Sequence, residues 1–217
     1  MNESLAQPPE IPSDPLRLFI ALDIPRGALD QVTALGHKLQ KGIQFTPCHP
    51  SWVPAENRHL TLVFLGSKPP EAVKLISQAM DRILCNFSQL KLEFKRLDVF
   101  PSWRRPKVLW IGVRDRTHQI GELRTSLEKG MYPFGYEPDP KPFRPHLTLA
   151  RFRSLKGVQA AKSVIHSHQG FRFGPFRVGE LILFQSDLSP AGASYTVLHR
   201  SAFTGQAENI PTKVASR

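Results

Sequence analysis

Between Leu16 and Ile24 the chain reads L-R-L-F-I-A-L-D-I, apolar at nearly every position. A short apolar run of this kind predicts a buried strand, and Pro25 closes it. The spacing then changes. Leu29, Val32, Leu35 and Leu39 recur every three or four residues, which predicts an amphipathic helix over 26–41. Pro25 suits its first turn and Gly42 its stop. After a loop containing Trp52-Val-Pro54, a second apolar run ends at Gly66. Pro69 and Pro70 open a further helix with Val73, Ile76, Met80, Ile83 and Leu84 on one face. Alternation returns at 90–100, and Val108–Val113 is again strand-like. Ile120, Leu123 and Leu127 predict a helix over 117–130, and 155–168 predicts another. Between them lies a Pro-rich loop, Tyr132–Pro145, and two strands, Phe176–Ser186 and Ser194–Phe203, close the pattern.

One tetrapeptide occurs twice. H-L-T-L stands at His59–Leu62 and again at His146–Leu149, 87 positions later. Each copy is strand-like, and each is followed by a helical and then a strand-like stretch. The two halves thus read as related α+β units. Successive side chains of a strand face opposite ways. His59 and Thr61 therefore share one face and Leu60 and Leu62 the other, with the same division at His146, Thr148, Leu147 and Leu149. The leucines account for a core; they leave the histidines unexplained.

Charge narrows the partners. The 217 residues carry 29 Lys and Arg against 18 Asp and Glu, a net charge of +11 and a pI near 10.1. Such a surface attracts polyanions, nucleic acid above all. With 41% hydrophobic residues the chain can bury a core. No apolar run approaches the ~18 residues of a membrane span, and the N-terminus lacks the pattern of a signal peptide. Residues 1–15 read as a disordered Pro-rich leader, 16–203 as one bilobal domain and 204–217 as a loose tail. Two cysteines form no disulfide framework, which fits a reducing cytoplasm. Cys85 is expected in a helix core and Cys48 in a loop.

If the two strands meet across one cleft, they bring two imidazoles and two hydroxyls together. Imidazoles titrate near neutral pH, at about 6.5 when unperturbed, so one can accept a proton while the other donates one. Thr61 and Thr148 can donate hydrogen bonds to phosphate oxygens. Arg151, five residues after His146, offers a bidentate cation for the same oxygens. This set suits phosphodiester chemistry without a metal or cofactor. A zinc site wants three or four ligands at close spacing, and H-x-T supplies one per strand. His166 and His168 have H-x-H spacing but no third ligand nearby in sequence. They read as surface residues, as do His37, His49, His118 and His199. No G-x-S-x-G elbow or G-x-x-x-x-G-K loop is present.

Longer phrases carry a resemblance. L-R-L-F-I-A-L-D-I-P, W-V-P-A-E-N-R-H-L-T-L-V-F-L-G, F-P-S-W-R-R-P-K-V-L-W-I-G-V and K-P-F-R-P-H-L-T-L-A-R together resemble the two-histidine phosphoesterases. The similarity is strongest to their RNA 2′,3′-cyclic phosphodiesterase branch, also called the 2′-5′ RNA ligase family. It covers roughly Leu16 to Phe203. Arg58 departs from it, standing where an aromatic or aliphatic residue is expected. The resemblance implies an α+β, bilobal fold: two pseudo-symmetric lobes with antiparallel sheets facing a central cleft and helices outside. It implies hydrolysis of a terminal 2′,3′-cyclic phosphate of RNA to a 2′-phosphomonoester. It makes His59 the proton donor to the departing 3′ oxygen and His146 the acceptor that activates water. The sequence by itself leaves these two roles interchangeable.

The expected partner is then an RNA or nucleotide with a cyclic phosphate end, acted on by a monomer with no obligate protein partner. Arg104, Arg105, Lys107, Arg144 and Arg153 are candidates for the upstream phosphates. Phe19, Trp52 and Phe143 are candidates to stack on a base, though Phe19 fits a core position equally well. Two alternatives stand beside hydrolysis. One is the reverse reaction, joining RNA ends through a 2′-5′ linkage. The other is a binding module that keeps the cleft without turnover.

Overall fold

The computed structural model describes residues 14–44, 46–189 and 192–205. The expected leader up to residue 13 and tail from residue 206 lie outside them. Nine strands and four α-helices alternate among the described residues. In chain order they are β1 (Leu16–Leu22), α1 (Arg26–Ile43), β2 (Ser51–Trp52), β3 (Leu60–Lys68), α2 (Ala72–Leu84), β4 (Leu90–Phe100) and β5 (Val108–Asp115). Then follow α3 (Gln119–Met131), β6 (His146–Arg151), α4 (Val158–His166), β7 (Arg172–Val178), β8 (Glu180–Ser189) and β9 (Gly192–Ala202). No helix among the described residues is long and apolar enough to cross a membrane.

The strands form two antiparallel sheets, ordered β3-β1-β8-β9 and β2-β6-β5-β4-β7. One H-L-T-L copy belongs to each: β3 is an edge strand of the first sheet, and β6 lies inside the second. The expected alternation holds in both. Leu60, Leu62, Leu147 and Leu149 are buried in the core, while Thr61, Thr148, His59 and His146 are half-exposed on the other side. His59 itself sits one residue before β3. Helix α2 packs against β9 and α3 against β3, while α1 packs with α4 and β7.

Three expectations need correction. The run Phe176–Ser186 is two strands, not one. It breaks at Gly179, so that β7 pairs with β4 in one sheet and β8 with β1 in the other. Both pieces bury apolar residues, Phe176 and Val178 in the first and Leu181 and Leu183 in the second, so periodicity runs through the break unmarked. The lobes are also not successive halves of the chain. The sheet holding the first H-L-T-L is completed by β8 and β9, because β1 takes β3 on one side and β8 on the other. Lastly, Cys85 is exposed just beyond α2, because Leu84 takes the buried position there. Cys48 does lie in a loop, but a buried one.

Helix α4 starts later than its periodicity suggests. Gly157 precedes it with φ of 71°, and a Cβ there would stand 2.5 Å from the backbone nitrogen of Cys48. Only glycine combines that left-handed turn with so close an approach.

Candidate active site

The two H-x-T faces meet. His59, Thr61, His146, Thr148 and Arg151 line one cleft of about 960 Å³. Phe19 lines it too, although it is only 3% exposed. It fills the core position expected of it and also forms part of the cleft wall. Trp52, Val53 and Asn57 before β3, Arg153 after β6, and Ser186 and Tyr195 on β8 and β9 also line it.

Each imidazole meets a backbone carbonyl. His146 donates its Nδ1–H to the carbonyl of Arg144 at 2.6 Å, two residues upstream. The backbone carbonyl of Asn57, again two residues upstream, acts on the His59 ring and raises its pKa. A carbonyl can only accept, so the Arg144 bond fixes the His146 tautomer and leaves its Nε2 for chemistry. Asn57 is itself anchored, its Nδ2 donating to the carbonyl of Ala193 at 2.8 Å. Aromatic rings surround both histidines. Phe19 lies 4.7 Å from His59 and Tyr195 stands edge-on at 5.0 Å. Phe100 stands edge-on to His146 at 4.9 Å, with Trp110 at 5.9 Å.

This apolar packing sets the charge state. Burial depresses the His59 pKa to about 4; the Asn57 carbonyl raises it somewhat and His146 lowers it further. His146 is also held below its ordinary value, first by burial, against the Arg144 carbonyl, with Arg151 adding repulsion. Both imidazoles are thus neutral in an empty cleft at pH 7. Three arginines, Arg17, Arg151 and Arg153, line the cleft, and its described residues include no carboxylate or thiol. An anion entering it meets only positive or neutral groups.

Arg58 is the surprise. It is only 9% exposed and lies beside His59 in sequence. Its Nε–H donates to the carbonyl of Val53 at 3.1 Å, and its Nη1–H to Thr33 Oγ1 on α1 at 2.8 Å. Gly36 on the same helix lies beside the guanidinium. The Val53 amide in turn donates to the carbonyl of Leu149 on β6. The chain of bonds runs from α1, through the segment before His59, to the strand of the other H-L-T-L.

Other expected residues fall elsewhere. Phe143 lies outside the cleft beneath Arg124, whose guanidinium is 4.4 Å from the ring centre. Arg144 contributes its carbonyl, not its side chain, and Arg104, Arg105 and Lys107 do not line the cleft. His166 packs edge-on against Trp103, and His199 bonds Asp81 at 2.9 Å. Sequence reasoning missed Asn57, Ser186 and Tyr195. Asn57 lay within a quoted phrase, two residues before the histidine. Ser186 and Tyr195 come from strands far along the chain and carry no local signal.

Two antiparallel sheets facing one cleft, each presenting an H-x-T segment, are the arrangement of the two-histidine phosphoesterases. The sequence model of the 2′-5′ RNA ligase superfamily matches residues 28–190, and the chain belongs to that family. It is 31% identical over 192 residues to an RNA 2′,3′-cyclic phosphodiesterase of Escherichia coli, covering 88% of this chain and 99% of that one. A protein of the same name from Methanothermobacter thermautotrophicus is 28% identical over 181 residues, covering 83% and 95%. Among solved structures, E. coli LigT complexed with 3′-AMP superposes with a TM-score of 0.67 at 27% identity, covering 88% and 99%. TT0787 of Thermus thermophilus shares the fold, with a TM-score of 0.72 at 24% identity.

Proposed function

We propose that this protein hydrolyses the 2′,3′-cyclic phosphate at the end of an RNA to a 2′-phosphomonoester. The observation that carries this reading is the pair of imidazoles in a cleft lined by arginines. One neutral imidazole removes a proton from water as its oxygen attacks phosphorus. The other, protonated, delivers a proton to the 3′ oxygen as its bond to phosphorus breaks. Thr61, Thr148 and Arg151 hold the non-bridging oxygens as negative charge concentrates there. By family resemblance His146 is the acceptor and His59 the donor. Family relatives bearing the phosphodiesterase name support the substrate. No metal is needed for the step, since a base, an acid and fixed cations are all supplied by side chains.

The assignment of His59 as donor meets its depressed pKa, and the substrate resolves the conflict. An anionic phosphate beside His59 stabilises the imidazolium, and the Asn57 carbonyl favours it as well. Substrate thus brings the charge that the empty cleft lacks. The pH dependence follows. In the free enzyme the active form carries one imidazolium, and both pKa values lie below 6.5. Its population falls as pH rises through the higher of the two, so kcat/KM is already declining by pH 6.5. Bound phosphate raises the pair, so the alkaline limb of kcat lies at higher pH. Coincident limbs for kcat and kcat/KM would contradict this account.

The direct test uses an RNA ending in a 2′,3′-cyclic phosphate, incubated with the protein in EDTA and followed by phosphorus NMR. A 2′-phosphomonoester is the expected product, at a rate the chelator leaves unchanged. Tight binding of the RNA without any product would instead indicate a binding module.

A further inference from the structure

Phe64 is an anomaly in β3. Its neighbours Leu62, Val63 and Leu65 are buried, yet Phe64 is 47% exposed. A shift in the pairing of β1 with β3 places it opposite Phe19, and both line the cleft. Phe19 is the ring that packs on His59. Phe64 therefore continues an apolar track from the reacting centre toward the rim, about 10 Å along the strand from Thr61. The Arg17 guanidinium lies over the Phe64 ring, 4.6 Å from its centre, and it too lines the cleft. A half-exposed aromatic ring capped by a cation has little use in folding, since it leaves apolar surface in water. It suits a stacked base and an adjoining phosphate well. The cleft's volume of about 960 Å³ is also near the top of the ~300–1,000 Å³ range of small-molecule sites.

We infer that Phe64 and Arg17 form a subsite for the nucleotide immediately 5′ of the reacting end, making the substrate an RNA strand in preference to a free cyclic nucleotide. The inference rests on the phosphodiesterase reading. The base of that nucleotide stacks against the Phe64–Arg17 pair, and Arg17 meets the phosphate joining the last two nucleotides. Phe19 and the histidines serve the terminal nucleotide.

The test compares kcat/KM on a ribotetranucleotide ending in a 2′,3′-cyclic phosphate with kcat/KM on 2′,3′-cyclic AMP. In the wild type the ratio favours the tetranucleotide. Phe64→Ala lowers that ratio roughly ten- to a hundredfold, the usual loss when a base-stacking ring is removed. Phe64→Tyr, which keeps the ring, restores it. Arg17→Gln lowers the ratio and reduces its salt dependence by about one phosphate contact. A wild-type ratio near one, or a ratio that Phe64→Ala does not move, overturns the subsite while leaving the phosphodiesterase reading in place. A wild type that turns over neither substrate overturns both.

Discussion

Replacing either His59 or His146 with alanine lowers turnover of a cyclic-phosphate RNA end by about 10²-fold or more, the range for loss of one general acid or base. The two losses do not add. The acid and the base act in one step, so the double variant is only slightly slower than the poorer single variant. Both residues can be removed without harm to the core. Each imidazole is half-buried on the cleft side, and the leucines that hold the strands face the other way. Melting temperatures near that of the wild type, measured beside the rates, identify the loss as chemical. Asparagine at the same positions keeps a polar side chain without acid–base capacity, and it should be as slow as alanine. Wild-type rates from the double variant would sink the two-histidine mechanism.

Arg58→Ala is expected to destabilise the protein by about 2–4 kcal/mol. The substitution removes two charge-assisted hydrogen bonds, each worth roughly 1.5–3 kcal/mol, and leaves a void beside Gly36. Against this stands the cost of burying the guanidinium, which already pulls its pKa below the ordinary arginine value. That opposing cost is why the expected loss is smaller than the sum of the two bonds. Arg58→Met separates the two contributions. It fills the space, so its loss of stability should be smaller than that of alanine. It still releases the carbonyl of Val53, whose amide bonds β6. Turnover should therefore fall in Arg58→Met even where the fold survives. Denaturant melts and kcat on both variants check this. Equal stability of wild type and Arg58→Ala would mean the two bonds contribute nothing net.

Arg58 also shows where sequence reading reaches its limit. Its departure from the expected residue type was visible at once. Its partner on α1 was not, because Thr33 lies 25 residues away, and neither was the link from Val53 onward to Leu149. Tyr195 and Ser186 were hidden for the same reason: a side chain at a cleft wall needs no local pattern, only a strand that happens to pass. Phe143 was misplaced because aromatic type alone does not say which face of a loop points inward. The break at Gly179 was hidden because both sheets demand the same apolar residues, so a strand can change sheets without changing its pattern.

The sequence by itself determined that strands and helices are interspersed, that two H-x-T faces oppose two leucine faces, and which five polar side chains are the candidates that come to line one cleft. Local spacing suffices for these, since strand alternation and helical period are properties of the neighbouring backbone. Only the tertiary structure decided that β8 and β9 complete the first lobe, that Asn57 and Arg144 present carbonyls to the two rings, and that burial among aromatic walls lowers the pKa of both imidazoles. Those features depend on contacts between residues remote in the chain, where burial and charge are set by what folding brings together.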